Sequence, residues 1–406
     1  MAELYWGDKR VIGVKPPNIA LISLESSIII DGIEVEVPSG TTSLTAQAFT
    51  GASFLTKVSL PNSLVSIGND CFKETSLSSI TLPNSVTSLG TNCFSNCSSL
   101  SSVTLSTALS SLPNYCFYYC SSLTSITIPN NVSSLGSYCF SYTRISSITL
   151  PNSVTSLGTN CFSNCSYLIS VTLSTALTAL PDYCFYYCSA LTSITIPNNI
   201  TSLGSYCFGS ARITSITLPN SVTSLGTYCF RNCSYLTSVT LSTALSSLPD
   251  YCFYYCSALT AITLPNSVTS LGTNCFSNCS YLTSVTLSTA LTALPNYCFY
   301  SCSYLASITI PNSVASLGTY CFYYCRSLTS ITIPASVTSI SNYCFDRCSS
   351  LTAIYFEGDP PSLGSSPFRR IGSNPVFYHK ASNTNWTDAI KTASYGGATS
   401  ATWSTY

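Results

Sequence analysis

Twenty-three cysteines, one histidine and two isolated aspartates are the side chains that could do chemistry in this 406-residue chain. Most cysteines fall in a Cys-Phe-x-x-Cys arrangement, as in Cys93-Phe-Ser-Asn-Cys97 and Cys161-Phe-Ser-Asn-Cys165. A zinc or dithiol site would use Cys-x-x-Cys with a partner set completing a tetrahedron. Here both thiols instead hold apolar positions, where unpaired cysteine is among the most buried residue types. A disulfide between vertically stacked cysteines would need Cβ atoms roughly 3.8 Å apart, closer than one strand spacing. The pattern therefore reads as a ladder of structural thiols, with scattered disulfides and metal binding as the lesser alternatives.

Catalysis finds little support. Asp182 and Asp250 occupy equivalent places three repeats apart, roughly 14 Å at the strand spacing. Paired-carboxylate mechanisms need separations within about 10 Å. His379 lies in the terminal segment and reads as a surface or cap residue. No phosphate-binding glycine loop and no nucleophile motif is present. The chain reads as a non-enzyme, with no catalytic, cofactor-binding or metal residues.

Two sets of residues could instead bind a partner. Outward columns pair Ser147 with Thr149, Ser170 with Thr172, Ser193 with Thr195, and Ser215 with Thr217. They suit a solvated sheet face, a hydroxyl-lined groove for glycan or protein, or an ice-binding array. Tyrosine pairs recur at Tyr118-Tyr119, Tyr186-Tyr187, Tyr254-Tyr255 and Tyr323-Tyr324, between two buried cysteines and so expected to be exposed. Exposed tyrosines suit sugar stacking or protein contact, because an apolar body carries a polar tip. The competing reading is that they pack over neighbouring repeats and shield the turn.

A repeat must position these columns. Residues Ser79 to Ser146 recur almost verbatim as Ser147 to Thr214, and each block divides into three units of 22 or 23 residues. Such a period is the mark of a solenoid, whose units bury an apolar face only by stacking. One unit runs from Ile145 to Tyr167. Ile148 and Leu150 alternate with Ser147 and Thr149, the period of a half-buried strand. Pro151-Asn152 ends the strand with turn chemistry. Val154 and Leu157 point inward again, Gly158 breaks the chain, and Cys161-Phe162 with Cys165 suggests one tight helical turn. Counting Cys-Phe pairs and two degenerate flanking units gives about 15 rungs. Units with markers at Cys71, Cys139 and Cys207 lack one residue, so their outer turn should be tighter.

Charged residues make up 7 % of the chain and the formal net charge is zero. About 25 % is ordinary in soluble proteins. No electrostatic footprint for nucleic acid or anionic lipid exists. The start, Met1 to Arg10, lacks a basic segment followed by an apolar core. Apolar runs such as Ile28-Ile29-Ile30 are far shorter than the roughly 20 residues that span a bilayer. The expectation is synthesis in a cytoplasm and exit by another route, such as assembly into a virion or signal-free export, with no membrane insertion.

The phrasing Leu-Thr-Ser-Ile-Thr-Leu-Pro-Asn-Ser-Val-Thr-Ser-Leu-Gly-Thr-Asn-Cys-Phe-Ser-Asn-Cys-Ser resembles the BspA-like leucine-rich repeats over roughly residues 41 to 356. Cysteine stands here where that family more often has alanine before phenylalanine. The resemblance implies a curved, β-rich solenoid, a right-handed superhelix with a parallel β-sheet. It also implies an adhesive role, known in surface adhesins of bacteria and protists, with similar repeats in bacteriophage structural proteins. Residues 357–406, with Phe356-Glu-Gly-Asp-Pro-Pro361 and Asn385-Trp386-Thr387, resemble the endings that cap such repeats. Residues 1–40 read as a β-hairpin piece, from Ser27 to Val37 around an Asp-Gly turn, that caps the solenoid or attaches it to something larger. The function expected from this reading is adhesion as a bacteriophage tail, fibre or head decoration, with residues 1–40 contacting other virion proteins. A cell-surface adhesin binding a protein or glycan receptor is the alternative, and a structural or ice-binding array the third.

Overall fold

In a computed structural model the described residues are 34–406, with the backbone of strands Tyr5–Trp6, Lys9–Arg10 and Ile29–Asp31. Contacts divide the chain into two units, residues 1–199 and 200–406. Each is a solenoid of short parallel strands and turns.

In the first unit Ile148 is buried while Ser147 and Thr149 face outward, as the alternation predicts. This strand pairs in parallel with Ser170–Thr172, and Ser147 stands beside Ser170, Ile148 beside Val171 and Thr149 beside Thr172. A second ladder joins Ser111–Leu112, Ser134–Leu135 and Ser156–Leu157. The second unit repeats the scheme, with Ser215–Thr217 on Ser238–Thr240 and Ala261–Thr263 on Ser284–Thr286. The first ladder is not continuous: residues 125–128, 193–196 and 307–310 carry no strand. Ser193 and Thr195, expected on a strand, are exposed but lie in one of these breaks.

Two local expectations are corrected. Gly158 does not break the chain; its φ is ordinary. A Cβ there would stand 2.2 Å from Ser137 N and 2.5 Å from Gly136 C, so glycine is needed where one rung's backbone approaches the next. The segment around Cys161-Phe162 is not a helical turn. Asn160 and Asn164 are left-handed, at φ 58° each, and alternate N–H groups leave the turn for the following rung. Asn160 N–H donates to Asp182 O (3.0 Å), Phe162 to Cys184 O (3.1 Å) and Asn164 to Tyr186 O (2.7 Å). Between them, Ser163 N–H closes back on Asn160 O and Cys165 N–H on Phe162 O. The turn thereby serves as a third ladder, and a helix, which keeps its N–H groups to itself, could not.

The short rung at Cys139 closes with one residue fewer. In longer rungs Leu168 N–H closes a turn on Cys165 O over Ser166-Tyr167. At Cys139 the single residue Arg144 replaces that pair, and Thr143 fills the place of the second cysteine. Its Oγ1 donates to Phe140 O at 2.8 Å and lies 3.4 Å from Cys165 Sγ.

The core is a stack of phenylalanines. Rings from Phe49 to Phe185 lie 5.3–5.6 Å apart, nearly parallel, and those from Phe208 to Phe368 lie 5.1–5.7 Å apart. Around them all 23 cysteines are buried free thiols. The second-column thiols are hydrogen-bonded to the preceding rung's phenylalanine carbonyl, as Cys165 Sγ to Phe140 O (3.0 Å) and Cys256 Sγ to Phe230 O (3.0 Å).

At the N-terminal side, Ile29–Asp31 pairs antiparallel with Glu34–Glu36, which continues in parallel onto Lys57–Ser59. The strands of the expected hairpin are present; its turn residues 32–33 and most of residues 1–28 lie outside the described residues. At the other end, Ser330–Ile333, Ala353–Phe356, Val376–His379 and Thr402–Thr405 form one parallel sheet.

Replacing Phe117 by alanine removes a ring stacked on both sides. It should lower unfolding free energy by about 3–5 kcal/mol, whereas Thr149→Ser should stay within about 0.5 kcal/mol. Urea denaturation of both variants checks the contrast.

Burial pushes the thiols up from an ordinary 9.0, to about 12 for Cys71 and Cys279 and about 11 for Cys165. With pKa raised by folding, their stabilising contribution is complete below pH 9 and is lost as pH rises through 11–12. Each such thiol steepens the decline by up to about 1.4 kcal/mol per pH unit. The urea midpoint should be level from pH 7 to 8.5 and fall steeply between 9 and 11; equal midpoints at pH 7 and 10.5 would contradict this.

Candidate binding surfaces

On the strand face of the first unit, Ser147, Thr149, Ser170 and Thr172 are exposed and in register. Ser193 and Thr195 are exposed without strand pairing, and Ser215 and Thr217 are exposed strand residues of the second unit. A groove of about 540 Å³ opens where residues 125–128 leave the ladder. Ser102, Ser125, Thr127, Ser147 and Thr149 line it with hydroxyls, Asn130 adds an amide, and Val103 and Ile126 give it an apolar floor. No charged side chain lines it. Such a surface can hydrogen-bond a neutral polar ligand and desolvate part of it.

The tyrosine edge is built differently from the expectation. Tyr119, Tyr187 and Tyr255 are 43 %, 48 % and 46 % exposed, but Tyr118, Tyr186 and Tyr254 are half-buried. The reason is packing across rungs. Tyr119 stacks on Tyr142 at 4.4 Å, and Tyr118 meets both Tyr138 and Tyr142 edge-on at 6.1 and 5.9 Å. Burial, then neighbouring phenols, push Tyr118 above the ordinary tyrosine value.

A further tyrosine column was not foreseen. Tyr115 and Tyr138, directly before their Cys-Phe pairs, stack at 4.7 Å. In the second unit Tyr228 stacks on Tyr206 and Tyr251, and Tyr320 on Tyr297 and Tyr343. The signal available was the recurrence of tyrosine, with asparagine as its usual substitute, before the Cys-Phe pairs. All of these tyrosines, with Tyr119, Tyr187 and Tyr255, have φ between 54° and 60°. Asparagine adopts that region readily; tyrosine does so at a cost of order 1 kcal/mol or more.

The few charges between residues 75 and 343 take two roles. Asp250 Oδ1 accepts Thr273 N–H at 2.6 Å, as Asn114 and Asn296 accept Ser137 and Thr319 N–H at 2.7 and 2.8 Å. Asp250 thus does an asparagine's structural work. Each arginine between residues 75 and 343 instead sits on tyrosine: Arg144 over Tyr167 (5.2 Å), Arg212 over Tyr235 (4.5 Å), Arg326 over Tyr324 (3.9 Å), and Arg231 between Tyr206 and Tyr228 (5.9 and 5.7 Å). Near the C-terminus, Asp346 is buried and paired with Arg370 through two hydrogen bonds. His379 is 5 % exposed, among Trp386 and Trp403, with Nδ1 3.0 Å from Lys380 O; it belongs to an aromatic cluster that also holds Phe377 and Tyr395.

The Asn-x-Ser/Thr sequences at Asn131, Asn199 and Asn385 have their amides engaged in the structure. Asn131 Nδ2 donates to Thr107 O (2.7 Å), Asn199 Nδ2 to Thr175 O, and Asn385 Nδ2 to Asp359 Oδ1 (2.8 Å). Among the described residues no group of three or more His, Cys, Asp or Glu is arranged to hold a metal ion, and no helix is long and apolar enough to cross a membrane.

Comparisons with known proteins agree with the fold. A leucine-rich repeat protein from Bacteroides ovatus is similar in structure, with a TM-score of 0.67 at 22 % identity, covering 92 % of both chains. A leucine rich cell surface protein from Faecalibacterium prausnitzii is 25 % identical with a TM-score of 0.46, covering 83 % of this chain and 96 % of that one. No curated protein sequence matches the chain. The BspA type leucine rich repeat region matches residues 33–143, 110–237, 155–283 and 271–385. Rungs that join a buried Cys-Phe to parallel strands thus have a family, and the chain belongs to the BspA-type leucine-rich-repeat proteins.

Proposed function

We propose that this protein is a non-enzymatic, adhesin-type binding protein that recognises a protein or glycan on a cell surface through the faces of its solenoid. The observation that carries the reading is the uncharged groove between Ser102 and Thr149, where hydroxyls flank half-exposed Val103 and Ile126. Repetition supports it: duplicating a rung adds another set of the same hydroxyls without disturbing the core. Family membership points the same way. In this reading residues 41–356 form the binding solenoid, residues 357–406 its cap, and residues 1–40 the segment that attaches it. The site of action is extracellular. Nothing in the fold or the relatives favours a virion component over a cell-surface adhesin, so the cell-surface reading is preferred.

The test is binding of the full chain to an array of glycans and matrix proteins. A Thr149→Lys, Thr172→Lys variant runs beside it, since two lysine side chains would crowd and charge the groove's edge. A specific hit weakened at least tenfold in the variant, a loss of about 1.4 kcal/mol, is expected. Well-folded protein with no hit, or a hit untouched by the substitutions, would overturn the assignment to this face.

A further inference from the structure

Arg231 stands in a column that in the second unit also holds Gly209, Tyr254, Ser277, Tyr300, Tyr323 and Asp346. Among the described residues no carboxylate forms an ion pair with it. Its guanidinium is held instead on the rings of Tyr206 and Tyr228. Its neighbour on the next rung is Tyr254, fixed by the 2.7 Å bond from Asn232 N–H to Tyr254 O. The guanidinium acts on the Tyr254 phenol, partly offsetting the upward push of burial. Asp250, on the next rung, accepts Thr273 N–H.

Beside Tyr254 stands Tyr255, 46 % exposed and edge-on to Tyr254 at 4.7 Å. Tyr119 has its stacking partner in Tyr142 one rung on, but the corresponding places beside Tyr255 hold Asn232 and Asn278. The amide nitrogens of those asparagines are directed to Ser210 Oγ (3.2 Å) and Ser277 Oγ (3.0 Å). A ring face thus lies between two ordered amides, with an unneutralised guanidinium one rung away. A protein partner's acidic side chain would use the arginine but has no need of the ring between amides. A sugar ring uses all three: C–H groups on the tyrosine face, hydroxyls on the amides, a carboxylate on the guanidinium.

We propose that Arg231, Asn232, Tyr254, Tyr255 and Asn278 form a subsite for a carboxylate-bearing sugar residue. This rests on the binding-protein reading and adds a ligand class and a second location to it. Uronic acids and sialic acids share the required chemistry.

The experiment is calorimetric titration of the full chain with a glucuronate-terminated oligosaccharide, a sialate-terminated one, and the carboxyl-reduced form of the first. Wild type should bind at least one acidic probe about tenfold more tightly than the neutral form, as a charged hydrogen bond is worth; which acidic probe wins identifies the source. Arg231→Gln should abolish that preference while keeping the neutral-probe affinity, and Tyr255→Ala should weaken both. If Arg231→Gln fails to fold, wild type in rising salt replaces it: only the acidic probe's affinity should fall. Equal affinity of wild type for acidic and neutral probes, or a preference that survives Arg231→Gln or high salt, overturns the subsite. Binding of no sugar, with an array protein bound and lost in Thr149→Lys, Thr172→Lys, also overturns it and leaves the adhesin reading standing.

Discussion

Everything in each unit depends on one rung closing against the next. Among the described residues no strand is longer than four residues, and none could stand alone. Backbone donors on three sides of a rung reach across to a neighbour: the two strands sideways, and the Cys-Phe turn through its alternate N–H groups. Approach is close enough that the position of Gly158 cannot accept even a methyl group without meeting the Ser137 backbone. Phenylalanine rings at one place in every rung fill the interior at the spacing this approach dictates.

That constraint explains the composition. A side chain pointing inward meets its own copy one rung away, so an inward charge would face a like charge in a dry interior. Cysteine avoids the problem, being small and apolar, and its thiol also serves the phenylalanine carbonyl of the preceding rung. In the short rung at Cys139, Thr143 stands in the cysteine's place and bonds its own rung's Phe140 carbonyl, which Cys165 Sγ also reaches. The few outward charges are similarly absorbed, Asp250 into a rung-to-rung bond and the arginines onto tyrosine rings. What remains for a partner is hydroxyl, amide and phenol, together with ring-held guanidinium groups such as that of Arg231.

Tyrosine in left-handed backbone is the feature that structural need explains least. Asparagine serves the same positions at Asn160 and Asn164 with less strain. Stacking of Tyr115 on Tyr138 offsets part of the difference, yet Tyr255 lacks a stacked neighbour and stays exposed. Strain held at exposed aromatic rings is the pattern expected where a surface is kept for contact.

The repeat, its inward set and the outward Ser-Thr columns were legible in the sequence, because strand alternation and a fixed period report directly which side chains share a face. Cysteine burial was legible for the same reason: the thiols kept the period of the core. The Cys-Phe turn was not, since residues spaced like one helical turn can equally alternate left-handed and right-handed backbone once a neighbouring rung supplies acceptors. Nor could the sequence say that Ser193 and Thr195 leave the ladder while Ser147 and Thr149 stay in it, their local residues being nearly the same. Pairing between rungs decides that, and it also buries Tyr118 while leaving Tyr119 in solvent. Local sequence determined what each rung is made of; contacts between residues some 22 apart decided where the groove opens and which rings remain available.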